Sequence, residues 1–126
     1  RQFLNLIKSE THSSNEKIKP FISEFNHYLD ILKKFSDWTI QSIENNKDDA
    51  SAAANDYLKT LGYVSLAFSW IKILNVSFKD YEENKKFYDD KINTAKFYFD
   101  KVLPRAEQHY KSAISGSSNI MNFKFN

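Results

Sequence analysis

Glu24-x-x-His27 is the arrangement in this chain closest to a chemical motif. Helix neighbours three apart lie one turn up the same face, so carboxylate and imidazole would stand side by side. Di-metal sites in helical bundles use such Glu-x-x-His pairs, but they need two of them and two further inward carboxylates. Three residues before His109 stands Ala106, so the second pair is missing. The residues point to an exposed glutamate and a helix-surface histidine. His12, His27 and His109 occupy separate segments, with no Ser or Cys beside them in a nucleophile pattern and no glycine-rich phosphate loop. The doublets Asp48-Asp49 and Asp89-Asp90 cannot share one substrate, because adjacent helical residues diverge by about 100°. Their natural place is a first helical turn, where carboxylates meet the positive end of the backbone dipole. Cysteine is absent, which removes disulfides, thiolate metal sites and thiol nucleophiles. The sequence offers no catalytic, cofactor-binding or metal-binding residue.

Pro104, followed by Arg105, is the remaining local oddity. A proline inside a helix removes one hydrogen bond and collides with the carbonyl four residues back, here that of Asp100. It predicts a bend that lets a long helix wrap around a core. The alternative is that the freed carbonyl and Arg105 contact another domain.

Long helices are what must position these residues. Only two Gly and two Pro occur in 126 residues, so turns are few. Phe3, Leu4 and Ile7 suggest a short N-terminal helix. Ser13 and Glu16 have the spacing of a capping box. The next helix begins either near Lys19, with Pro20 in its first turn, or at Ser13 with a bend at Pro20. Phe21, Ile22, Phe25, Leu29, Leu32, Ser36, Thr39, Ile40 and Ile43 step along one face, ending near Glu44-Asn45-Asn46. Tyr28, Ile31, Phe35 and Trp38 widen that stripe. A second helix starts near Asp48 and is apolar on nearly every side from Leu61 to Phe78. It approaches membrane-spanning length. Lys72, Asn75 and several serines interrupt it, which favours a buried central helix with Trp70 in the core. Asn84 is placed as the N-cap of a third helix whose inner face carries Tyr88, Ile92, Ala95, Phe99, Val102, Leu103, Ala106, Tyr110 and Ala113, with Gly116 as its stop. The tail at 117–126 is expected to lie across the bundle. There is no internal repeat. The fold class is therefore all-α: one domain over 1–126, an up-down bundle of three long antiparallel helices with the short N-terminal helix as part of a fourth wall.

With 41% hydrophobic residues, seven Tyr, eleven Phe and two Trp, one such domain can bury a substantial core. The net charge of +2 is spread without a basic stripe, which argues against a nucleic-acid partner. No signal-peptide pattern is present, so a cytoplasmic protein with no membrane partner is expected. The chain starts at Arg1 in helical rhythm, as a piece of a longer protein would.

Three segments carry a resemblance. Leu61-Gly62-Tyr63-Val64-Ser65-Leu66-Ala67-Phe68-Ser69-Trp70 is similar to a Gly-Tyr element leading into an aromatic-Trp helix. Lys91-Ile92-Asn93-Thr94-Ala95-Lys96-Phe97-Tyr98-Phe99-Asp100-Lys101-Val102-Leu103-Pro104-Arg105 is similar to a Lys-x-x-Thr-Ala-Arg-Phe-Tyr stretch followed by Leu-Pro-Arg. Ile114-Ser115-Gly116, then Ile120, Met121 and Phe123, is similar to a closing Gly and Leu/Met element. Together they resemble the C-terminal helical domain of bacterial acyl-CoA dehydrogenases, in a subgroup that includes 3-methylmercaptopropionyl-CoA dehydrogenase. Lys96 departs from the pattern, where Arg stands, and would weaken any bidentate contact. The resemblance implies a parent that binds FAD and oxidises the Cα–Cβ bond of an acyl-CoA, a Glu taking the α-proton while a β-hydride passes to the flavin. Nothing here matches the segment that carries that Glu. It further implies the rest of that chain as partner and a homo-oligomeric parent.

Against this stands a freestanding helical interaction module. In either case Phe97, Tyr98, Lys101 and Arg105 are expected at an interdomain or subunit interface, because they combine surplus aromatics with a charged rim.

Overall fold

Asn15 caps a 3-10 turn, Glu16–Ile18, its side chain accepting from the Lys17 N–H at 2.9 Å. The computed structural model describes residues 7–8, 15–45 and 47–125, and the side chains of these except at 49 and 116–125. Helix α1 (Lys19–Asn45) follows the turn directly. Pro20 lies in its first turn, where its missing N–H leaves no bond unmade. The start near Lys19 is thus the one adopted, and Ser13 lies outside the described residues. Helix α2 (Lys47–Lys79) places Asp48 in its first turn. A 3-10 turn, Tyr81–Glu83, leads to α3 (Lys85–Phe97), whose N-cap is Asn84, accepting from the Phe87 N–H at 3.2 Å.

Pro104 acts earlier in the chain than a simple kink would. With no N–H to offer Asp100, and a ring that crowds its carbonyl, the chain opens the preceding turn. Tyr98–Val102 is π-helical, and the Leu103 N–H donates to the Tyr98 carbonyl at 2.8 Å, five residues back. Helix α4 (Arg105–Phe125) then resumes. The third long helix is therefore α3, the π segment and α4 in succession.

Gly116 does not end it. α4 continues through Gly116 to Phe125, so the segment expected to lie across the bundle is helical. A glycine lowers helix propensity by about 1 kcal/mol relative to alanine, which by itself stops no helix.

Among the described residues the chain is all-helical, with three long helices and no strand. α2 touches each of the other three helices, and α1 also meets α4. Along α1 and α2 the contacts run in opposite senses, Phe25 meeting Phe68 while Phe35 meets Tyr57. The same holds for α2 against the third helix, where Tyr63 meets Tyr98 and Asp56 meets His109. The main core contains Phe25, Leu32, Ala67, Ile71, Leu74, Phe99 and Leu103, with Ile18 from the 3-10 turn. Ile7 of the N-terminal segment joins it, 4% exposed. A second cluster forms around Phe35, ringed by Trp38, Tyr57 and Tyr110.

Two core expectations need correction. Ile40 and Ile43 are exposed, at 57% and 54%. The inward line of α1 runs instead through Phe25, Tyr28, Leu32, Phe35, Thr39 and Ser42, alternating steps of three and four, with Tyr28 and Thr39 half-buried and the others buried. A seven-residue seam drifts by about 20° per heptad around a straight helix, and the Ile40–Ile43 stripe lies off it. α2 is also not covered on all sides: Trp70 is only partly buried, and Leu58, Leu66 and Val76 are exposed.

Candidate functional site

Glu24 and His27 do line a common cleft, with Ser23 and Tyr28 of α1 and Phe99, Asp100 and Pro104 of the third helix, around a volume of ≈ 360 Å³. His27 finds its carboxylate across the cleft: Nε2 is 3.4 Å from Glu107 Oε1. Burial, then the nearby negative charge of Asp100, pushes the Glu24 carboxyl above its usual range, while His27 pulls it back. Glu107 is held below its usual range by a hydrogen bond from Lys111 and by His27. Burial, with the charges of Glu107 and Glu24, raises the Tyr28 hydroxyl. Such a cleft can hold a proton on Glu24 more readily than a free glutamate would. Among the described residues no group of three or more His, Cys, Asp or Glu could hold a metal ion.

His109 is engaged elsewhere. Its Nδ1 donates to Asp56 Oδ1 at 2.8 Å, and its ring stacks on Tyr63 with centroids 5.9 Å apart. Neighbouring Thr60 is fully buried, its hydroxyl donating to the Asp56 carbonyl at 2.9 Å and reaching the Ala106 carbonyl at 3.5 Å. The group clamps α2 to α4. A partner 53 residues away leaves no signal in local spacing.

The expected interface residues divide. Phe97 is 62% exposed, and Lys101 and Arg105 follow it at four-residue steps, both exposed. Tyr98 is a correction: it is 7% exposed, and its hydroxyl donates to the Tyr63 carbonyl of α2. One residue along a helix rotates by about 100°, enough to turn Tyr98 inward while Phe97 stays out.

The larger unpartnered surface was missed because α2 reads as apolar all round. Its buried side carries Thr60, Val64, Ala67, Ile71 and Leu74, none above 3% exposed. At 100° per residue the opposite side aligns Leu58, Leu61, Ser65, Ser69, Lys72 and Val76, with Leu66 at its edge. Leu58, Leu61, Leu66 and Val76 are 63%, 37%, 52% and 50% exposed. The part Ala50–Lys79 is long and apolar enough to cross a membrane by length and composition, and 33% of its most apolar stretch is buried within the fold. A helix that packs one side into a core and keeps a nearly uncharged outer side has the makings of a docking face.

The chain matches the family described as acetyl-CoA dehydrogenase C-terminal like over residues 3–124. It belongs to that family. No curated protein and no solved structure matches it. As a member of the acetyl-CoA dehydrogenase C-terminal-like family it is a C-terminal domain of acyl-CoA dehydrogenase-like proteins, in line with the three segments that carried the resemblance. The Glu24 cleft does not suit a flavin. Gly62 and Gly116 both lie inside helices rather than in a phosphate-cradling loop, and the Glu24 cleft is lined by carboxylates that would repel a pyrophosphate.

Proposed function

We propose that this chain is an auxiliary helical domain that packs on the catalytic core, or at a subunit interface, of an FAD-dependent acyl-CoA dehydrogenase. That parent would oxidise the Cα–Cβ bond of an acyl-CoA, with the flavin and the catalytic base supplied outside these residues. The observation that carries the reading is the outward side of α2, where Leu58, Leu61 and Leu66 remain exposed. Leaving such side chains solvated costs about 1.5–3 kcal/mol each relative to full burial. Family membership supports the rest of an acyl-CoA dehydrogenase chain as the partner. Phe97, with Lys101 and Arg105 at its rim, offers a second contact of the same kind.

The subgroup resembling 3-methylmercaptopropionyl-CoA dehydrogenase, a homo-oligomeric parent and a cytoplasmic location belong to the same proposal. So does a four-helix-like up-down bundle, supported by the opposed sense of contacts between neighbouring helices and by Ile7 in the shared core.

The test is reassembly. The chain and the remainder of its gene product, produced as separate polypeptides, are expected to co-purify. Leu58→Asp with Leu66→Asp should weaken that association by about tenfold or more, the loss typical of a central interface residue. The melting temperature of the isolated domain should hardly move, since both side chains are already exposed. Undiminished association of the double variant would overturn the assignment of the face.

A further inference from the structure

We propose that the groove between α2 and α3 binds a free single-chain anionic amphiphile, an alkyl tail ending in a carboxylate. The groove is open to solvent and spans ≈ 550 Å³, with Ile73, Val76 and Phe87 as its apolar surface and Lys72, Tyr88 and Lys91 among its polar groups. That volume falls within the roughly 300–1,000 Å³ of ordinary small-molecule sites. Val76 and Phe87 are 50% and 49% exposed, so a tail laid over them removes apolar surface from water on both sides.

The polar lining selects the head. Ser77 Oγ donates to the Ile73 carbonyl at 2.7 Å and Ser69 Oγ to the Ser65 carbonyl at 3.4 Å, so both hydroxyl protons are committed to their own helix. What remains is Tyr88, with its hydroxyl, and two ammonium groups. Lys72 Nζ lies over the Phe68 ring and Lys91 Nζ over the Phe87 ring, each 5.3 Å from the centroid. Neither is in a salt bridge with a carboxylate of the described residues. The side-chain donors still free to meet a ligand are these three groups, and two of them carry positive charge. The complementary head is an anionic acceptor, and the complementary tail is apolar. One ammonium stands on each wall, from α2 and from α3, so a bound carboxylate can pair with either while the tail follows the seam.

This does not depend on the docking role of the outer face of α2, because it is tested on the chain alone. Isothermal titration with decanoate, kept below its micelle concentration, is expected to give saturable binding of one molecule per chain. The double variant Lys72→Glu, Lys91→Glu should bind about tenfold more weakly or worse, the loss of at least one charge-assisted hydrogen bond. Lys72→Gln alone should weaken binding in the same direction, and serves if the double variant does not fold. Decanol, with the same tail and no charge, should bind at least about tenfold more weakly than decanoate. Non-saturating titration, equal binding of decanol, an affinity unchanged by the lysine substitutions, or attachment to anionic vesicles with no binding of free decanoate would each overturn the proposal.

Discussion

His109 Nδ1 sits 2.8 Å from Asp56 Oδ1, joining α4 to α2 at a point where both side chains are about three-quarters buried, 23% and 25% exposed. Asp56→Ala leaves the imidazole donor without its acceptor in a partly dry setting. The cost should be about 1–3 kcal/mol, as for other unsatisfied buried groups. His109→Ala and the double variant complete a cycle in urea denaturation. A coupling energy indistinguishable from zero would mean that the pair is incidental to the fold.

Phe35 is fully buried between Trp38, Tyr57 and Tyr110. Phe35→Ala is expected to destabilise by about 3–5 kcal/mol, the range for emptying an aromatic core site. Trp70→Ala should cost less, because Trp70 lies at the edge of the core and is only partly buried. Comparing the two denaturation midpoints checks the order; a larger loss at Trp70 would contradict the packing.

Burial, with Tyr63 adding to it, pushes the Tyr98 hydroxyl up to about 12 from an ordinary 10.0. The fold therefore favours the neutral phenol. Its contribution is complete below pH 10.0 and is lost as pH rises towards about 12. Melting experiments across that alkaline window should show a falling stability that is blunted in Tyr98→Phe. Below the window, Tyr98→Phe should cost about 1 kcal/mol for the lost bond to the Tyr63 carbonyl. An ultraviolet titration in which every tyrosine ionises with an ordinary midpoint would contradict the burial of this hydroxyl.

Isolated from any parent, the chain is expected to retain no FAD and to reduce no dye with an acyl-CoA. Its glycines are helical, and its acidic cleft suits no pyrophosphate. A flavin absorption band in the purified domain, or turnover, would place part of the chemistry within these residues.

Much of the candidate site was hidden for one reason: its parts belong to different helices. The Glu24 and His27 pair was visible as a spacing, but its true partners, Asp100 and Glu107, come from the third helix. Asp56 and His109 gave no sign of each other. Phe97 and Tyr98 are adjacent in sequence, and only the rotation of the helix against α2 puts one outside and the other in the core.

Local chemistry in the sequence alone was enough to determine that the chain is helical, that Asn84 caps α3 and roughly where the long helices begin. Asn84 can satisfy an orphan N–H, Pro20 suits a first turn, and few glycines or prolines interrupt the rest; these are effects within a turn or two. It also held three segments that resemble the family. The tertiary structure decided which side of α2 stays in water, because an almost uniformly apolar helix has no polar side to reveal its orientation. It decided too that Pro104 opens a π turn at Tyr98–Val102 and that α4 runs past Gly116. In both places several backbone outcomes lie within about 1–3 kcal/mol of one another, and the choice among them falls to contacts with residues far away in the chain.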